Sequence, residues 1–184
     1  RLGVARDCLV VAGTTDSNAA TLAAGPEHPG DAVTSLGSTL VLKILSGTPV
    51  VSARHGVYSH RIGQHWLVGG ASNSGGAVLR RFFDSHQLAT LSARMDPETP
   101  PALDYYPLPA PGERFPVNDP SLAPRLTPRP SDDARFLQGI LEGIARIEAQ
   151  FRLAEEGIHG PEHWERVRIN GLFLARRTGA DLVV

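Results

Sequence analysis

Three short stretches of the sequence hold residue types that could do chemistry. The first, Val10-Val11-Ala12-Gly13-Thr14-Thr15-Asp16-Ser17, sets one carboxylate between an apolar run and an alanine-rich one. A carboxylate at such a junction can accept a proton from a hydroxyl, and ligand sites in open α/β sheets gather at this edge of the strands. The ordinary use of Asp16 there is as a helix N-cap, and position alone favours it. The second stretch, Ser35-Leu36-Gly37-Ser38-Thr39, is a bare turn whose hydroxyls and backbone N–H groups can approach a phosphate closely. A plain hairpin turn fits the same residues. The third, Gly69-Gly70-Ala71-Ser72-Asn73-Ser74-Gly75-Gly76, is explained by close packing as readily as by ligand binding. Neither a Gly-Lys-Ser/Thr phosphate loop nor a G-x-G-x-x-G fingerprint is present.

Elements must position these residues, and the hydrophobic pattern marks them out. Asp7 to Ala12 reads as a buried parallel strand, and Ser17 to Ala24 as a short helix stopped at Gly25-Pro26. Asp31 to Leu36 and Thr39 to Leu45 read as a hairpin, as do Tyr58 to Ile62 and His65 to Val68 around Gly63-Gln64. Short helices are expected over Ala77 to Phe83 and Gln87 to Met95. Eleven of the 15 prolines lie between Pro97 and Pro130, which excludes long helix or central strand there. Leu103, Tyr105, Tyr106, Leu108, Phe115 and Leu126 give that stretch, about 96–130, enough apolar anchors to be an ordered, extended excursion. Ser131 to Arg152 carries Phe136, Leu137, Ile140, Leu141, Ile144, Ile147 and Phe151 at helical spacing, with Ser131 or Asp132 as cap. Val167 to Leu174 reads as a further strand.

At 184 residues and 41% hydrophobic content the chain suits one globular domain. A net charge of -1 without long charged runs argues against nucleic acid and membrane surfaces as partners. The single cysteine, Cys8, reads as a small buried thiol in a reducing, cytoplasmic setting. No stretch reaches the length of a membrane span. The start at Arg1, directly before an expected strand, points to part of a longer polypeptide. His60 and His65 flank a turn but lack a third ligand, so no metal site is expected from them. Trp66 reads as core or interface. Arg80 and Arg81 read as a solvated helix face, with the lining of a cleft as the alternative.

In combination and order, VVAGTTDSNAATLAAG, GDAVTSLGSTLVLK and GGASNSGGAVLRRFF resemble the C-terminal domain of FGGY carbohydrate kinases, closest to the xylulokinase and D-ribulokinase-like branch. The resemblance extends from Val10 to Leu153 and takes in GVYSHRIGQHWLVGG, YYPL and GERFP. It implies an α/β chain, one lobe of the actin-like, ribonuclease-H-like ATPase fold with a mixed sheet flanked by helices. It implies Asp16 as the base that takes the proton of a sugar hydroxyl. Gly37, Ser38 and Thr39 are implied as ATP-phosphate contacts, with Gly13 and Thr14 beside them, and magnesium as the bridging ion. Residues 1–184 would then be the nucleotide-side domain. An N-terminal domain, absent from this sequence, would supply most contacts to a ketose or polyol. The family's G-G-G-A-x-N adenine segment is replaced by Arg168-Ile169-Asn170-Gly171-Leu172, where Gly171 is the remnant. A non-catalytic nucleotide-binding or interaction module with this fold is the alternative, and a homodimer is compatible with either.

Overall fold

A computed structural model describes residues 7–9 and 13–150 of the chain. The apolar runs on either side of Gly37-Ser38 form a hairpin of β1 (Ala32–Leu36) and β2 (Leu40–Ser46). A second hairpin joins β3 (Tyr58–Ile62) to β4 (His65–Ser72). The four strands lie in the order β1-β2-β4-β3, each neighbour antiparallel. The register pairs Leu42 with Gly70 and Ile44 with Val68, so one face of the sheet carries these side chains together. They cluster there with Val57, Val68 and Phe115.

Helix α1 spans Asp16–Ala23 and ends at Gly25 in the left-handed conformation (φ 76°). The short α2 (Gly76–Leu79) and α3 (Ser85–Ser92) follow the second hairpin. The third helix begins two residues before the sequence reading because Asp84 and Gln87 close a reciprocal capping box, at 2.8 and 2.9 Å. Helix α4 (Asp133–Ala149) is capped by Asp132, whose carboxylate accepts the Ala134 N–H. Its apolar stripe of Phe136, Leu137, Ile140, Ile144 and Ile147 packs with Leu40, Val78, Leu79, Phe83, Leu88, Leu91 and Tyr105. Thr34 Oγ1 donates to Glu148 Oε1 at 2.5 Å, tying the far end of α4 to β1. The proline-rich stretch between α3 and α4 holds only isolated pairings, Tyr106 with Arg125 and Glu113 with Asp119, and is anchored by buried Tyr105, Leu108 and Phe115.

Two expectations are corrected. Asp7 to Leu9 is neither strand nor buried: Leu9 is 85% exposed, and Cys8 is an exposed thiol, because an apolar run buries itself only where a neighbouring strand pairs with it. Residues 10–12 lie outside the described residues, as do the expected strand from Val167 to Leu174 and the end of the long helix at Phe151-Arg152. The strand expected to end at Val68 runs on, since β4 continues to Ser72 with Gly69 and Gly70 inside it. A Cβ on Gly69 would lie 1.8 Å from the Leu42 carbonyl oxygen, and one on Gly70 2.2 Å from the Phe115 ring. The glycines permit close approach and do not interrupt the strand.

The opposite face of β2 carries an anomaly. Lys43 is 1% exposed, its Nζ has no hydrogen-bond partner among the described residues, and the ammonium sits 4.2 Å from the Tyr58 ring centroid. Burial lowers its pKa from 10.5 to about 8, and burial together with Lys43 also lowers that of His60. Below pH 8 the folded chain therefore carries the full cost of a buried charge, of order 3 kcal/mol, which is relieved as pH rises towards 10.5. Lys43→Met is expected to raise the melting temperature at pH 7, with the gain shrinking between pH 8 and 10.5. Calorimetric melts across that range check it.

Candidate functional site

The turn between β1 and β2 and the glycine segment after β4, which are far apart in sequence, are packing partners. Within the turn the Gly37 N–H donates to the Thr39 carbonyl at 3.1 Å. The segment from Ser74 to Ala77 then wraps it. The Gly76 N–H donates to the Gly37 carbonyl at 2.8 Å, the Ala77 N–H to Ser38 at 3.2 Å, and the Leu40 N–H to Ser74 at 2.7 Å. A Cβ at Gly75 would stand 2.7 Å from Thr39 Cα and 2.8 Å from the Ser38 carbonyl oxygen, and one at Gly76 2.8 Å from the Gly37 carbonyl oxygen. Any side chain at Gly75 or Gly76 would push the turn away.

Seating the turn consumes its carbonyls and leaves its donors. The N–H groups of Ser38 and Thr39 make no hydrogen bond among the described residues. Ser38 is exposed and Thr39 half-buried. Arg80, four residues after Gly76 and so one helical turn on, donates from Nη2 to Ser38 Oγ at 3.0 Å. Arg81 points elsewhere and donates to the Pro109 carbonyl of the proline-rich stretch. Free backbone donors, two hydroxyls and an exposed guanidinium around one tight turn form a suitable cradle for a phosphate oxygen. That donor set fits the phosphates of a nucleotide. The reading of Arg80 and Arg81 as one solvated face missed this division; the only signal was the spacing from Gly76 to Arg80.

Asp16 makes no hydrogen bond to that turn. It is the first residue of α1 and exposed, with Oδ1 accepting the N–H of Ser17 at 2.7 Å. The N-cap position belongs to Thr15, whose side chain makes no capping bond. Gly13 and Thr14 lead into it, also exposed. No hydrogen bond among the described residues joins this segment to Gly37, Ser38 or Thr39. Gly171 lies outside the described residues. On the second hairpin, Ile62 faces His65 and Leu67 faces His60, and Arg61 stacks on Trp66 at 5.1 Å. Among the described residues no group of three His, Cys, Asp or Glu side chains could hold a metal ion.

No family model matches the chain. Solved structures do. A xyloylose kinase from Brucella ovis aligns over 64% of this chain at 24% identity and a TM-score of 0.56, covering 26% of the kinase. A xylulose kinase from Rhodospirillum rubrum aligns over 72% at 21% identity and 0.54, covering 28% of its own length. A gluconate kinase from Lactobacillus acidophilus aligns over 63% at 17% identity and 0.51, covering 25%. The chain thus shares its mixed α/β fold, of the actin-like ATPase kind, with sugar kinases, and matches about a quarter of their length. Gly75→Ala is expected to destabilise the chain by about 2–4 kcal/mol by displacing the turn, a loss readable in urea unfolding.

Proposed function

We propose that this chain is the nucleotide-side part of an FGGY-type carbohydrate kinase, which transfers a phosphoryl group from ATP to a hydroxyl of a ketose or polyol such as D-xylulose or D-ribulose. The observation that carries the reading is the seated turn at Gly37 to Thr39, with its free N–H groups and Arg80, in a chain whose structural neighbours are sugar kinases. Phosphoryl transfer asks a protein mainly for positioning and for donors around the phosphate oxygens. The turn and Arg80 would hold the phosphates of ATP, and a magnesium ion would neutralise charge on them. Asp16, exposed and held by Ser17, would accept the proton of the sugar hydroxyl as its oxygen bonds to the γ-phosphorus and ADP departs.

The reading needs more than this chain. A sugar-binding N-terminal domain would bring the hydroxyl to Asp16 and to the phosphates held at the turn. Gly13 and Thr14 would contact the same phosphates, and Gly171 the adenine. The need for ATP favours the cytoplasm. Among the described residues, no helix is long and apolar enough to cross a membrane.

Titration of the chain with Mg-ATP in a calorimeter tests the nucleotide half of the proposal. Binding is expected, and Arg80→Ala should weaken it about tenfold, the loss of one charge-assisted bond. No binding at millimolar Mg-ATP would overturn it. In the complete protein, Asp16→Asn should lower kcat by about 10²–10⁴ while the nucleotide Kd stays nearly constant, as measured by coupled ADP release and by titration. Undiminished turnover would remove Asp16 from the role of base, whereas a complete parent protein that binds Mg-ATP without turnover would favour a non-catalytic nucleotide-binding module.

A further inference from the structure

We infer that Glu113, in the proline-rich stretch, is the positioning residue of the phosphate turn and acts on it through Ser72 and Ser74. The inference rests on the nucleotide role proposed for that turn. Glu113 is 2% exposed, yet its carboxylate meets five donors. Oε1 accepts three backbone N–H groups, from Asn73 at 2.7 Å, Arg114 at 2.8 Å and Phe115 at 3.4 Å. Oε2 accepts two hydroxyls, from Ser72 at 2.6 Å and Tyr106 at 3.2 Å. The Tyr106 hydroxyl is kept protonated, and so a donor, because burial and then the charge on Glu113 raise its pKa.

The two oxygens do different work. Backbone N–H groups cannot reverse, so Oε1 must be an acceptor, and it fixes the strand end at Asn73 to the excursion. Hydroxyls can rotate, and Oε2 removes that freedom by taking the Ser72 proton. Ser72 Oγ is thereby left to accept the Ser74 N–H, at 3.0 Å. The Ser74 carbonyl in turn takes the N–H of Leu40, the residue directly after Thr39, at 2.7 Å. Three successive bonds thus run from a buried charge to the end of the turn. Asn73 adds a lateral brace, donating to the Gly112 carbonyl at 2.9 Å and accepting from Arg114 Nε at 2.7 Å. Glu113 bonds to no residue of the turn itself, so its influence on a bound phosphate would be indirect.

Two variants separate positioning from general support. Ser72→Ala removes the middle link and leaves the grip of Oε1 intact. Glu113→Gln can keep an amide oxygen on the Oε1 side, retaining the three backbone bonds, while its NH₂ group meets the two hydroxyls. Both are therefore expected to fold. Amide hydrogen exchange should accelerate about tenfold at Ser74 and Leu40 in Ser72→Ala, less in Glu113→Gln, and not in the β3–β4 ladder. Mg-ATP should bind Ser72→Ala about tenfold more weakly than the parent chain. Unchanged exchange at Ser74 and Leu40, acceleration spread over the whole sheet, or loosened amides with full Mg-ATP affinity would each overturn the inference. A parent chain that fails to bind Mg-ATP would instead defeat the nucleotide reading, and the exchange rates would still decide whether Glu113 positions the turn.

Discussion

At Gly69, Gly70, Gly75 and Gly76 the backbone runs closer to its neighbours than any side chain would allow, and the rest of the described structure is arranged around that closeness. At Gly69 it lies against the β2 backbone, at Gly70 against the Phe115 ring, and at Gly75 and Gly76 against the turn from Gly37 to Thr39. Each contact replaces a side chain with main chain, so the packing is rigid and unforgiving of one added carbon. The cost is conformational entropy, since glycine loses more freedom on folding than other residues. The hydrogen bonds from Gly76, Ala77 and Leu40 offset part of it and fix the turn in one place. A turn so held needs no reorganisation to meet an anion, which is the property that makes fixed donors effective.

Two buried charges show the same economy from opposite sides. Glu113 is surrounded by donors, so its desolvation is compensated and it fastens an irregular, proline-rich segment to the end of a strand. Lys43 has an aromatic face and, among the described residues, no acceptor, so its burial is only partly offset. The first removes rotational freedom from Ser72, whereas the second stores a cost that depends on pH. Eleven prolines lower the entropy that the excursion would otherwise lose on ordering, and the bonds at Glu113, Arg81 and Tyr106 supply the attachment that helix or sheet would give elsewhere.

The elements with strong periodicity were legible. The stripe on α4, the two hairpins and the glycine stop after α1 follow from side-chain spacing and backbone sterics, which act locally. Boundaries were less so, because Asp84 and Gln87 move a helix start through side-chain bonds that propensity ignores. Of the candidate site, Gly37, Ser38 and Thr39 were marked as a close-approach turn, and the glycine segment as its possible equal. That the two are halves of one feature was not visible, since 29 residues lie between Thr39 and Gly69. Cys8 was misread for a related reason: burial of an apolar run depends on a partner strand that the run does not encode.

What the sequence determined by itself was a set of local necessities. Residues at period two and 3.6 had to present apolar faces, glycines had to stand where main chain comes close, and Asp16 had to sit where a helix begins. Only the tertiary structure decided which necessities answer one another. It set Gly75 and Gly76 under the turn, sent Arg80 to Ser38 and Arg81 to Pro109, and led the buried carboxylate of Glu113 through Ser72 towards Leu40. The physical reason is that hydrogen bonds and van der Waals contacts act over a few ångströms of space, and a chain brings residues that near only by folding.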